Sequence, residues 1–85
     1  MNSYGLSNIS LKDYREFLTN ACCKSLGTNS GHEKWTRRDL TRPIIVQTHI
    51  DPVPEFIIKN ALRSLGLTRK DFFDILYAND AAIQK

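Results

Sequence analysis

Pro43-Ile44-Ile45-Val46-Gln47-Thr48-His49-Ile50 is the stretch on which the fold turns. Ile44, Ile45, Val46, Thr48 and Ile50 are β-branched, the side chains that suit a pleated strand. Alternation puts Ile44, Val46, Thr48 and Ile50 on one face and Ile45, Gln47 and His49 on the other. The first face is the more apolar, so a strand over 43–50 is expected to have one side against a core.

On the C-terminal side, Asp51-Pro52-Val53-Pro54 forces a bend, and Pro54 suits the first position of a helix. Ile57, Ile58, Ala61, Leu62 and Leu65 then form an apolar helical stripe that Gly66 stops. Thr68-Arg69-Lys70-Asp71 opens a further helix over 68–85, with Phe72, Phe73, Ile75 and Leu76 as its buried residues. On the N-terminal side, 37–42 reads as a turn and 32–36 as a second strand. Gly27-Thr28-Asn29-Ser30-Gly31 reads as a loop, and Cys23-Lys24-Ser25-Leu26 as a third strand. Ser10 caps a first helix with Asp13 in its opening turn, and Leu11, Tyr14, Phe17, Leu18 and Ala21 recur on one face. Residues 1–9 lack periodicity and read as a loose lead.

The order is α-β-β-β-α over 10–67, with an additional C-terminal helix. This is an α+β class domain, and a three-stranded antiparallel sheet with helices on one face is its simplest two-layer arrangement. Such a sheet leaves its other face open to a partner.

The composition fits one small domain: 85 residues, 41% hydrophobic and 25% charged. A chain this short buries only about 60–65% of its unfolded surface, which disfavours a deep site for a large substrate. No apolar run approaches the roughly 18 residues of a membrane span, and no secretory signal opens the chain, so a cytoplasmic, membrane-free protein is expected. Cys22 and Cys23 are adjacent, a spacing that suits neither a disulfide nor a metal pair, and read as reduced packing residues. The net charge of +3 is unevenly spread. Residues 51–85 are neutral, whereas 31–50 hold Lys34, Arg37, Arg38 and Arg42 against Glu33 and Asp39, together with both histidines. A polyanion is expected to dock there.

In an extended Gly31-His32-Glu33-Lys34-Trp35, the residues His32, Lys34 and Thr36 share one face and Glu33 and Trp35 the other. Trp35 suits the core side, which projects His32 and Lys34 from the open face, with Gln47 and His49 turned the same way. Imidazole, with a reference pKa near 6.5, takes and gives a proton at neutral pH. RNA cleavage needs a base for the 2′-hydroxyl, an acid for the leaving oxygen and positive charge at the phosphorus. The same residues also fit blander roles: His32 as a solvated or capping residue, Arg37-Arg38 as a solvated turn, His49 as a turn residue. No phosphate-binding glycine loop and no close ligand pair is present, so neither metal nor cofactor is expected.

Cys23-Lys24, a Gly/Ser loop, Gly31-His32-Glu33-Lys34-Trp35 and Val46-Gln47-Thr48-His49 follow one another in that order. After them come Pro54 and a helix closing on Ala61-Leu62-Arg63-Ser64-Leu65-Gly66-Leu67. This arrangement over 11–67 resembles the HicA family of toxins. The resemblance implies a double-stranded-RNA-binding-domain-like fold and a metal-independent endoribonuclease (mRNA interferase) that cleaves mRNA and is held inactive by a HicB-like antitoxin. It puts the catalytic histidine at His32 and the family's second histidine at His49, as an RNA contact. Lys34, Arg37, Arg38 and Arg42 would then bind phosphate. The chain departs from the family just before His32, where Ser30-Gly31 reverses the usual order of glycine and a small polar residue. The alternatives are a non-catalytic RNA-binding module of the same fold and a protein-interaction domain using the C-terminal helix. Oligomeric state and RNA sequence preference are open.

Overall fold

In the computed structural model, which describes residues 5–77, Ser10 starts the first helix as its sequence suggests. Its Oγ accepts the N–H of Asp13 at 3.0 Å. The elements run α1 (Leu11–Asn20), β1 (Lys24–Asn29), β2 (His32–Thr36), β3 (Ile44–Gln47), α2 (Glu55–Leu65) and α3 (Arg69–Leu76). The strands form one antiparallel sheet in the order β1-β2-β3. Trp35, Ile44 and Val46 on one face join Tyr14, Phe17, Leu18, Ile58, Ala61, Leu62 and Leu65 from α1 and α2 in a single core. The opposite face is bare: His32, Lys34 and Ile45 are exposed.

Caps and aromatic contacts place α3. Thr68 and Asp71 form a reciprocal capping box, with N–H to oxygen distances of 3.1 and 2.9 Å. Phe72 meets Phe17 of α1 with ring centroids 4.5 Å apart. The Asn20 side-chain amide donates to the Ile75 and Leu76 carbonyls at 3.0 and 3.4 Å, satisfying the last turn of α3. Gly66 ends α2 at φ +72, a left-handed cap that a side chain would strain. The rest of the expected 68–85 helix, residues 78–85, lies outside the described residues.

Several expectations are corrected. Residues 5–9 are not loose: Leu6 is fully buried, and Ile9 bridges Val53, whose N–H reaches the Ile9 carbonyl at 2.8 Å. Two isolated apolar residues have no period to betray them, yet they close the core where α1 meets the 51–54 bend. Asp51 reinforces that junction, its Oδ1 accepting the Leu11 N–H at 3.0 Å. The loop expected over 27–31 shrinks to Ser30-Gly31. Thr28 and Asn29 pair with Glu33 and His32, and Gly27 at φ +107 sits at a bulge in β1. Ser30 and Gly31 have φ of +54 and +81, both positive as a type I′ hairpin turn requires. The strand expected over 43–50 closes at Gln47, where a turn begins in which the Ile50 N–H reaches back to the Gln47 carbonyl at 3.4 Å. Pro54 stands just before α2 rather than within it. Both thiols are free, but only Cys23 packs; Cys22 is exposed.

Candidate functional site

The antiparallel register lays the open face out in rows. Asn29, His32 and Gln47 form one row, Gly27, Lys34 and Ile45 the next, and Lys24 and Thr36 a third. Lys34 therefore follows His32 on the same face, about 7 Å along the strand. Asn29 and Gln47 flank His32, and Lys24 adds a second cation to the face. Sequence reasoning turned Gln47 to this face but missed Asn29 and Lys24, although a two-residue turn at Ser30-Gly31 would have put Asn29 opposite His32.

His32 is exposed, with Nδ1 3.2 Å from the Ser30 carbonyl oxygen. A carbonyl only accepts, so this contact puts the ring proton on Nδ1 and leaves the Nε2 lone pair free. The tight turn is what brings that carbonyl to the ring. His49 arrives at the same turn from the other side. Thr48 donates to the Gly31 carbonyl through its N–H at 2.9 Å and its hydroxyl at 3.2 Å. A Cβ on Gly31 would lie 3.6 Å from Nδ1 of His49. Both imidazoles thus gather at one end of the β2–β3 pair.

Arg37 and Arg42 do not join them. Arg37, expected as a phosphate contact, turns back under the sheet. Its Nε and Nη2 clasp Asp39 at 2.6 and 2.8 Å, Nη1 donates to the Ala21 carbonyl at 3.0 Å, and Nη2 reaches the Leu65 carbonyl at 3.5 Å. Ala21 and Leu65 end α1 and α2, where helix carbonyls lack partners and favour a cation. The hydrogen bonds from Arg37 hold the Asp39 carboxyl below its usual range, and Asp39 in turn raises the pKa of Arg37. Arg42 lies in the groove between β3 and α2 with Asn60 and Ser64. Arg38 is exposed in the connection between the two strands. Of the expected phosphate contacts, Lys34 alone is a strand residue in register on the face of His32.

Glu33 is equally committed to structure. Its Oε1 accepts from Trp35 Nε1 at 2.7 Å and Arg15 Nε at 3.1 Å, on the covered side of the sheet. Burial pushes the Cys23 thiol up, and Arg37 opposes this to a lesser degree. Among the described residues, no three histidine, cysteine or carboxylate side chains gather as a metal site would need. No helix among them is long and apolar enough to cross a membrane. The open face thus offers the His32 imidazole and a pair of lysines, with the His49 imidazole beside Gly31 at the turn. No family model, no curated protein and no solved structure matches the chain.

Proposed function

We propose that the open sheet face is an RNA-cleaving surface on a double-stranded-RNA-binding-domain-like fold of the HicA kind, with His32 as its general base. The observation that carries this reading is the His32 ring, held through Nδ1 with Nε2 free, beside the turn where His49 also arrives. Nε2 takes the 2′-hydroxyl proton, O2′ attacks the adjacent phosphorus, and the bond to the 5′ oxygen breaks as His49 gives that oxygen a proton. The products are a 2′,3′-cyclic phosphate and a 5′-hydroxyl. Lys34 offsets the charge that develops on the phosphorane. Each proton has an imidazole to carry it, so the scheme calls for no metal ion. In this reading the substrate is mRNA, the protein is the toxin of a toxin–antitoxin pair, and a HicB-like partner silences it by covering His32 and Lys34.

The test is single-turnover cleavage of a ribo-oligonucleotide by the purified protein. Wild type should yield cyclic-phosphate ends, His32→Ala should not, and a deoxyribo-oligonucleotide should bind uncut for want of a 2′-hydroxyl. Undiminished cleavage by His32→Ala defeats the assignment. A second reading, RNA binding without chemistry, draws on the withdrawal of Arg37 and Arg42, which leaves two lysines to meet phosphate on this face. Uncut RNA bound by wild type in the same assay would select it.

A further inference from the structure

Strand β3 is an outer strand, and among the described residues no strand pairs with its outward edge. The Thr48 N–H bonds the Gly31 carbonyl, so the bonded rows of this antiparallel pair fall at Gly31/Thr48, Glu33/Val46 and Trp35/Ile44. Ile45 and Gln47 then point their backbone groups away from β2. The Gln47 carbonyl takes a long contact of 3.4 Å from the Ile50 N–H. The Ile45 N–H, the Ile45 carbonyl and the Gln47 N–H are left for another strand.

A groove runs beside this edge, between β3 and α2. At one end is a hollow of about 60 Å³ lined by Tyr14, Gln47, Val53, Phe56 and Ile57. Ile45 and Ile57 continue it towards Arg42, Asn60 and Ser64 at the other end. Tyr14 is completely buried, and its hydroxyl has no hydrogen-bond partner. Burial raises its pKa, so the group stays a neutral donor. With none of its surface accessible, Tyr14 backs the hollow without presenting its hydroxyl to anything that enters. Phe56 and Ile45 on the groove are 63% and 40% exposed, large apolar surface left in water. Arg42 at the far end has no carboxylate within ion-pair distance among the described residues.

We propose that this groove binds an extended peptide segment of a partner protein, which adds to the sheet as a fourth strand beside β3. Its backbone bonds Ile45 and Gln47, an aliphatic side chain fills the hollow in front of Tyr14, and a carboxylate about four residues away meets Arg42. The even spacing keeps the aliphatic and acidic side chains on one face of the added strand. Single-stranded RNA has the charge for Arg42 but lacks both the amide ladder and the aliphatic side chain. The groove does not rest on the His32 reading: it uses the outer edge of β3 together with α2, and shares only Ile45 and Gln47 with the open face.

The probe is a fluorescein-labelled octapeptide of alternating threonine and valine with one glutamate four residues from a valine. A control peptide carries lysine in place of the glutamate. Fluorescence anisotropy with the intact protein should show saturable binding of the acidic peptide, at least tenfold weaker for the lysine peptide and for Arg42→Glu. Amide exchange should slow at Ile45 and Gln47 when the peptide is bound. Ile45→Pro removes the key N–H at an outer strand position where proline is tolerated, and should abolish binding. Phe56→Ala, which removes the most exposed apolar side chain of the groove, should weaken it severalfold with the fold retained by circular dichroism. Equal affinity for both peptides, no saturation by about 1 mM, or protection of the Ile45 amide by a ribo-oligonucleotide instead would overturn the proposal.

Discussion

At the His32 end of β2 the ring is exposed and held through a single nitrogen by the Ser30 carbonyl. At the Arg37 end, roughly 16 Å along the chain if extended, the guanidinium is spent on Asp39 and on the last carbonyls of two helices. The two ends are contiguous in sequence and both read as positive or titratable. One is poised toward solvent with a free lone pair, and the other ties α1, α2 and the strand connection together. A basic stretch is therefore not a basic patch. Which cations face a partner depends on which of them the helix ends capture first.

The sharpest way to break this comparison is a crossed pair of substitutions. His32→Ala should lower single-turnover RNA cleavage by about 100- to 10,000-fold while changing stability by no more than about 0.5 kcal/mol. Arg37→Met should do the reverse, with cleavage near wild type and a loss of about 2 kcal/mol in denaturant unfolding as the helix-end bonds disappear. Thiol labelling adds a second readout: Cys22 should react in the native protein, whereas buried Cys23 should react readily only in Arg37→Met or on unfolding.

A smaller effect is expected at the turn that supports His32. Ser30 holds φ +54, a region that asparagine tolerates better, so Ser30→Asn should stabilise the hairpin by about 0.5–1 kcal/mol in thermal unfolding. Salt dependence separates the ends more finely. Lys34→Ala should flatten the logarithmic salt slope of single-stranded RNA binding by about 0.7, and Arg37→Met should leave it unchanged. The smallest effect is a pH dependence. Arg37 lowers the folded-state pKa of Asp39, so the Asp39 contribution to stability is complete above its unfolded value of about 3.9 and is lost as pH falls through the lower folded value. The stability difference between wild type and Asp39→Asn should therefore be flat near neutrality and shrink in acid below about pH 4.

Much of the fold was legible because it is written in periods. The stripe from Leu11 to Leu18, the stripe from Ile58 to Leu65 and the alternation of Ile44 and Val46 all mark faces that the structure buries. Features without a period were not legible. Leu6 and Ile9 are single plugs, and Thr28 and Asn29 belong to a strand with both faces exposed, where nothing apolar marks the alternation. The site was legible in the same measure. Alternation along 32–36 puts His32 and Lys34 together, but local spacing cannot show that Arg37 folds back onto Ala21 and Leu65, nor that Arg42 turns towards α2. Those positions depend on where two distant helices end.

Trp35 gives the molecule a built-in gauge. It is the only tryptophan, it is buried on the covered side of β2, and its indole N–H is held by Glu33 at 2.7 Å. Its emission will shift to the red when the core opens, yet it faces away from anything that settles beside His32. Fluorescence can therefore follow the integrity of the fold during a nucleic-acid titration without an added dye, and a change in one signal need not be mistaken for a change in the other.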